Sequence, residues 1–188
     1  MPTHELKTPL SEETVRDLSV RDVMYITGDL VTLRDRGAKR LAGSERPPLP
    51  LGGSAIFHCG PLVREVRGEW KVIAAGPTTS MRMEDYQAEV IRKFGVRIVI
   101  GKGGMGEQTR EAMRRFGAAY LAFTGGAAQL TTKSIKRVKD VFWLDLGMPE
   151  AMWILEVQRF GPCIVAIDSK GNDLFEQVLG RARSRRIG

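Results

Sequence analysis

Three short stretches set cationic and hydroxyl side chains beside glycine, where backbone N–H groups can face a ligand. The first is Gly101-Lys102-Gly103-Gly104-Met105-Gly106, after an apolar run and before a helical pattern. It fits G-x-G-x-x-G, but a dinucleotide fold also wants an acid about twenty residues on to hold the ribose. After Glu111 the next carboxylate is Asp140. No Gly-Lys pair is followed by Ser or Thr, so the Walker pattern fails too. What survives is a generic anion site, N–H groups at a helix N-terminus with Lys102 beside them. The plainer reading is a tight turn whose glycines allow close packing.

The second stretch is Gly76-Pro77-Thr78-Thr79-Ser80-Met81-Arg82. One hydroxyl suffices to cap the helix that follows, and three are present. A cation at a helix start opposes the macrodipole unless it faces an anion. Thr and Arg together can hold a carboxylate through charge-assisted hydrogen bonds. The alternative is a capped helix with an exposed Arg. The third stretch runs from Thr32 to Leu41, where Asp35 could cap or orient and Arg34 could reach a ligand. Such charge runs are ordinarily solvated helix faces. His58-Cys59 is not read as a catalytic pair, because neighbouring strand residues point to opposite faces and no third group orients them. Trp143, Met148, Met152 and Trp153 read as core or interface.

The elements that position these loops follow from pattern and punctuation. Ser11 caps a short helix through Leu18, and Asp22 to Leu33 is extended but broken near Gly28. A charged helix spans Arg34 to Leu41. Three prolines within 43–50 exclude helix there, and Ala55 to Cys59 is a strand. Behind that linker, strands alternate with helices: Trp70 to Ala75, helix Met83 to Phe94, Val96 to Ile100, helix Glu107 to Phe116 and Ala118 to Phe123. A basic link, Lys133 to Asp140, leads to a fourth strand at Val141 to Leu144. A helix at Glu150 to Phe160, a strand at Cys163 to Ile167 and a closing helix at Asp173 to Leu179 complete the chain. Glycines 95 and 117 stop two of the helices. Such alternation predicts an α/β fold with βαβ units and a mostly parallel sheet, with ligands at the strand ends.

The chain has 188 residues, and at 43% apolar and 27% charged it reads as one globular domain over 1–188. The longest uncharged stretch, 116–132, is too rich in glycine and polar residues to span a bilayer. The first residues do not read as a signal peptide. Two cysteines exclude a disulfide scaffold and an all-protein cluster site, and a cytoplasmic location is expected. The net charge of +7 attracts anions without choosing among them. Part of it sits in a tail, Arg181, Arg183, Arg185 and Arg186, read as a solvated helix end.

Taken together, Gly28, Arg34-Asp35, Lys39-Arg40-Leu41, Ile56-Phe57-His58-Cys59-Gly60-Pro61, Gly76-Pro77-Thr78-Thr79, Arg82-Met83, Gly101-Lys102-Gly103-Gly104-Met105 and Leu146-Gly147-Met148-Pro149-Glu150-Ala151-Met152-Trp153 resemble one family. This is the C-terminal half, or separate β subunit, of iron–sulfur hydro-lyases: the class I fumarases and L-tartrate dehydratases. The resemblance implies a swivelling β/β/α domain, a mostly parallel βαβ core with additional strands from the N-terminal portion. It implies reversible hydration of fumarate to malate, or dehydration of tartrate to oxaloacetate. A 4Fe–4S cluster would be held by an α subunit, with no metal ligand on this chain. By the same resemblance Thr78 occupies the place of the catalytic base. Arg34, Arg82 and Lys102 occupy the places that grip substrate carboxylates, Lys102 also serving catalysis, and Thr79 is the adjoining contact. The expected partners are that α subunit and a small dicarboxylate in an oligomer, without membrane or nucleic acid. In this family the helix after Arg-Asp often reads Ala-His-Lys-Arg. Ala38 stands at the corresponding place, which implies a related substrate or a remodelled site edge. Two other classes compete: a nucleotide- or anion-binding module built on the G-x-G-x-x-G loop, and a dicarboxylate-binding domain without chemistry.

Overall fold

A computed structural model describes residues 1–126, 128–129 and 131–184; Arg185 and Arg186 of the basic tail lie outside the described residues. Among the described residues, nine strands and five α-helices follow one another: β1 (Thr3–Lys7), α1 (Glu12–Arg16), β2 (Val23–Leu33), α2 (Asp35–Ala42), β3 (Ala55–His58), β4 (Leu62–Val66), β5 (Glu69–Ala74), α3 (Glu84–Phe94), β6 (Ile98–Gly101), α4 (Glu107–Phe116), β7 (Ala119–Ala122), β8 (Ile135–Phe142), β9 (Met152–Ile167) and α5 (Leu174–Ser184). The fold is mixed α/β, as its alternating pattern predicts. The pairings β1–β2, β2–β3, β3–β6 and β6–β7 are parallel, whereas β9 runs antiparallel to β2, β7 and β8. Because β2 pairs with β9 on its second edge, β2, β3, β6, β7 and β9 close into a ring. β1 and β8 extend it outside, and β4–β5 form a separate hairpin.

Closing the ring gives each strand two apolar faces. One set of side chains, including Ile26, Leu30, Phe57, Ile100, Leu121, Trp153, Leu155 and Phe160, fills the inside. The alternate set, including Val31, Leu33, Ile56, Val99, Tyr120 and Ile154, packs with residues of α2, α3 and α4. The two helices that follow β2 and the β4–β5 hairpin, together with the next one, therefore cover one outer side of the ring, and their leading loops meet at its end.

Several boundaries follow the expectation closely. Ser11 Oγ accepts the Thr14 N–H at the start of α1, and Gly95 and Gly117 adopt left-handed caps after α3 and α4. Four expectations are corrected. The stretch 150–160 is not a helix but the first part of the 16-residue β9, continuous with 163–167. Its residues 152–155 are buried on both faces, so their apolar run carries neither period. The basic link 133–140 is largely β8, and the expected strand 141–144 is its end followed by a 3₁₀ turn over Leu144–Leu146. Its pairing with β9 slips twice, which erases the two-residue alternation. β2 continues through Gly28, with irregular register against β9 rather than a break. β4 was unforeseen, because Arg64 and Glu65 face solvent in its middle. No helix is long and apolar enough to cross a membrane among the described residues.

Candidate active site

The C-terminal ends of β2, β3 and β6 bring the three loops together. β2 ends at Leu33, opposite His58, and Arg34-Asp35 follow at once. From β3 the chain passes through Cys59, which bridges to Pro77, while Thr78 donates its N–H to the His58 carbonyl at 2.7 Å. Beyond β6, Lys102 donates its N–H to the Thr78 carbonyl (3.3 Å) and accepts from the Ser80 N–H (2.9 Å), so Thr79 and Lys102 form a parallel bridge. Arg82, in the 3₁₀ turn Ser80–Met83, makes an ion pair with Asp35. Arg34, Asp35, Thr78, Thr79, Arg82 and Lys102 thus stand on one connected patch. The exposed members are Thr79, Arg82 and Lys102, while Thr78, Arg34 and Asp35 are half-buried.

Each arginine is held by a carboxylate of this chain. Arg34 Nε lies 3.2 Å from Glu150 Oε1 but off the hydrogen-bonding axis, which leaves that buried N–H without an aligned acceptor. Its guanidinium passes over Gly60, where a Cβ would sit 2.8 Å from Nη1 and equally close to the Pro149 carbonyl. Only glycine lets the side chain lie flat there. The second Glu150 oxygen accepts the Arg36 N–H (2.8 Å), Arg36 donates to the Leu146 carbonyl (2.9 Å), and Arg40 forks onto Asp145. α2 is therefore clasped to the loop before β9. Lys102 Nζ has no ion-pair partner among the described residues. With Asp35 and Glu150 set against Arg34, Arg36, Arg82 and Lys102, the patch keeps a positive balance that suits a dianion.

The G-x-G-x-x-G loop does not offer an open anion site. Glu84, at the start of α3, accepts hydrogen bonds from the Gly106 N–H (2.7 Å), the Thr109 N–H (3.1 Å) and the Thr109 hydroxyl (2.8 Å). The N-terminus of α4 is thereby filled by the chain's own carboxylate, where a pyrophosphate would have to sit. Lys102 instead pairs through its backbone with the Thr78–Ser80 segment. The hydroxyls of Thr78 and Thr79 cap no helix, and that of Ser80 turns inward to His58 and Tyr120.

His58 and Cys59 do point to opposite faces. Cys59 lies inside the ring, and His58 lies in a buried polar cluster beneath α3. Burial pushes the His58 ring down to about 4, against a hydrogen bond to Gln87 that raises it. Burial likewise pushes the Cys59 thiol up to about 12, and raises that of Cys163 further still. Neither thiol fits as a ligand to an iron–sulfur cluster, which binds thiolates. Ala38 is also wholly buried, packed among Leu33 and Leu41. Met152 and Trp153 are core, whereas Met148 is exposed and lends its carbonyl to the Trp153 indole (2.9 Å). A cleft of about 470 Å³ lined by Phe123, Thr131, Lys133 and Arg159 contains none of the patch residues.

The residues that sequence reasoning missed are the supporting ones. Glu150 was placed in a helix, and Glu84, Gln87 and Tyr120 carried no signal. The surplus hydroxyl at Ser80 was the one hint of a buried partner.

The chain belongs to the family described as Fumarase C-terminus, whose model matches residues 3–178. It is 46% identical over 173 residues to the L(+)-tartrate dehydratase subunit beta of Escherichia coli (strain K12), covering 92% of this chain and 86% of that one. It is 42% identical over 174 residues to a Methanocaldococcus jannaschii chain provisionally named L(+)-tartrate dehydratase subunit beta, covering 90% and 89%. A Geobacillus stearothermophilus protein provisionally named a class I fumarate hydratase is 45% identical over 174 residues, 92% of this chain but 34% of that protein.

Proposed function

We propose that this chain is the β subunit of an iron–sulfur-dependent hydro-lyase acting on a small 2-hydroxy dicarboxylate, either hydrating fumarate to malate reversibly or dehydrating tartrate to oxaloacetate. The observation that carries the reading is the connected patch of Arg34, Thr78, Thr79, Arg82 and Lys102 in a chain that aligns with most of two tartrate dehydratase β subunits. The ringed sheet with helices on one outer side supports a single swivelling β/β/α domain over 1–188. The subunit-beta names of the relatives support an α subunit as partner, and a cytoplasmic oligomer belongs to the same proposal.

In this reading Arg34 and Arg82 hold the two carboxylates of the substrate. Both guanidiniums are already oriented by Glu150 and Asp35, so less side-chain freedom is lost on binding. Thr79 adds a hydroxyl contact. Thr78 takes the carbon-bound proton. A hydroxyl is a weak base at its ordinary pKa, and the neighbouring Lys102 ammonium makes its ionised form less costly. Lys102 also stabilises the charge that accumulates on the substrate carboxylate as that proton leaves. A 4Fe–4S cluster on the α subunit supplies a Lewis acid for the departing hydroxyl.

Co-expression with an α subunit carrying three cluster cysteines, followed by anaerobic assay of fumarate hydration and tartrate dehydration, tests the proposal. Turnover of one or both is expected, and none of either would refute it. Nothing in the site favours the nucleotide-binding alternative, since Glu84 fills the helix N-terminus that reading needs.

A further inference from the structure

Beneath the exposed patch lies a cluster that the reaction described above does not use. Four side chains are involved: His58 at the end of β3, Ser80 in the 3₁₀ turn, Gln87 on α3 and Tyr120 on β7. All four are fully buried. His58 Nδ1 is 2.9 Å from Ser80 Oγ, His58 Nε2 is 2.9 Å from Gln87 Oε1, and the Tyr120 hydroxyl donates to Ser80 Oγ at 3.0 Å. The Gly104 backbone N–H adjoins the Tyr120 oxygen.

These contacts fix a direction. In the orientation the structure gives Gln87, its carbonyl oxygen faces His58 Nε2, which assigns the imidazole proton to Nε2 and leaves the Gln87 Nε2 amide without a partner among the described residues. Nδ1 is then bare and accepts the Ser80 hydroxyl proton. Ser80, while donating to Nδ1, accepts from Tyr120. The chain of donors runs Tyr120 to Ser80 to His58 to Gln87. It ties the loop of Thr78 and Thr79 to the loop of Lys102 from below, through side chains, where the Thr79–Lys102 bridge ties them through backbone. Gly101 confirms how close the packing is: any Cβ there would overlap the Ser80 hydroxyl.

We propose that His58 is a positioning residue, whose unprotonated Nδ1 holds Ser80 so that the Thr78 hydroxyl and the Lys102 ammonium keep the spacing needed for proton abstraction. This rests on the functional reading given above for Thr78 and Lys102. A buried relay suits the task, because its bonds are strong in a low dielectric and each member fixes the next. The groups that face the ring are Ser80, Gln87 on α3 and, as the charged neighbour, Asp35 on α2. Asp35 in turn holds Arg82, so the same buried region also adjoins the arginine clamp.

Two isosteres separate the role of each ring nitrogen. In His58→Asn an amide oxygen can occupy the place of Nδ1, so Ser80 keeps its acceptor and Gln87 loses its donor. In His58→Gln the reverse holds. Assayed in complex with the α subunit, His58→Gln is expected to lower kcat at least about tenfold with KM within about threefold, because geometry of the reacting groups and not affinity is lost. His58→Asn is expected to stay within about threefold of the unmodified complex in both, and Tyr120→Phe to behave like His58→Gln. Equal losses in the two His58 variants would overturn the proposal, since a purely structural histidine would not distinguish its nitrogens.

A second measurement needs no activity. The chain has two histidines, so in the His4→Gln protein a long-range ¹H–¹⁵N spectrum shows His58 alone. The expected pattern is a protonated Nε2 and a bare Nδ1, unchanged between about pH 5 and about pH 8. In that background His58→Gln is expected to shift the amide signals of Thr78, Lys102 and Gly104, and His58→Asn to leave them. A protonated Nδ1, or amide signals indifferent to both changes, would overturn the proposal even if the enzyme works. An inactive unmodified complex with the expected spectra would instead count against the hydro-lyase reading and leave the relay standing.

Discussion

At the scale of residues, the site is a set of exposed cations and hydroxyls held by buried or half-buried partners. Arg82 shows the arrangement plainly. It stands two residues before α3, where its charge is unfavourable for that helix's dipole, and Asp35 pairs with it. Replacing Arg82 with Ala removes one carboxylate fork but no core contact. Turnover is expected to fall about a hundredfold or more with the thermal midpoint nearly unchanged, and near-normal turnover would take Arg82 out of the site. His58 yields a stability prediction. Its ring is pushed from the usual 6.5 down to about 4 by burial. The unfolded chain therefore binds the proton first as pH falls. Stability linked to this ring is complete above about pH 6.5 and is lost progressively as pH drops toward about 4, by about 3 kcal/mol in full. Denaturant titrations across that window should show the loss, and His58→Asn should flatten it. An unchanged slope in the variant would assign the loss to other groups. The two thiols give a third test. Cys59 and Cys163 should resist alkylation in the native chain at mildly alkaline pH and react once it is unfolded, because burial keeps both protonated.

At the scale of elements, legibility depended on how each one meets solvent. The α4 helix was readable to the residue, because its amphipathic pattern is bounded by Gly106 and Gly117. The β9 strand was not, because the ring covers one of its faces and helices cover the other, which leaves an apolar run with no period. β8 hid for the opposite reason: its slipped register sets Lys136, Arg137 and Lys139 outside without alternation. The candidate site was legible where a residue's type is unusual for its position, as with Lys102 between glycines and Arg82 at a helix start. Its supports were not, because Glu84, Glu150 and Tyr120 are ordinary in sequence and gain their roles only from neighbours brought in by the fold. Glu84 is the element-level test. It caps α4 from α3 through three hydrogen bonds, so Glu84→Ala should cost about 1–2 kcal/mol in chemical unfolding. A loss of only a few tenths would mean that the α4 N–H groups find other partners easily.

At the scale of the whole molecule, ring closure by β2 and β9 sets a single end at which the loops after β2, the β4–β5 hairpin and β6 converge. That end presents cations and hydroxyls on an open surface, whereas the thiols that could interest a metal are sealed in the core. In the proposed function the two facts divide the labour: this chain would recognise the doubly negative acid, and the Lewis acid would come from the α subunit. The family membership and the β-subunit relatives agree with such a division. The most direct measurement mixes the purified chain anaerobically with a cluster-loaded α subunit and follows tartrate dehydration and fumarate hydration against each component alone. Turnover is expected in the mixture and in neither component alone. Turnover by this chain alone, or by the α subunit alone at the rate of the mixture, would contradict the proposed function.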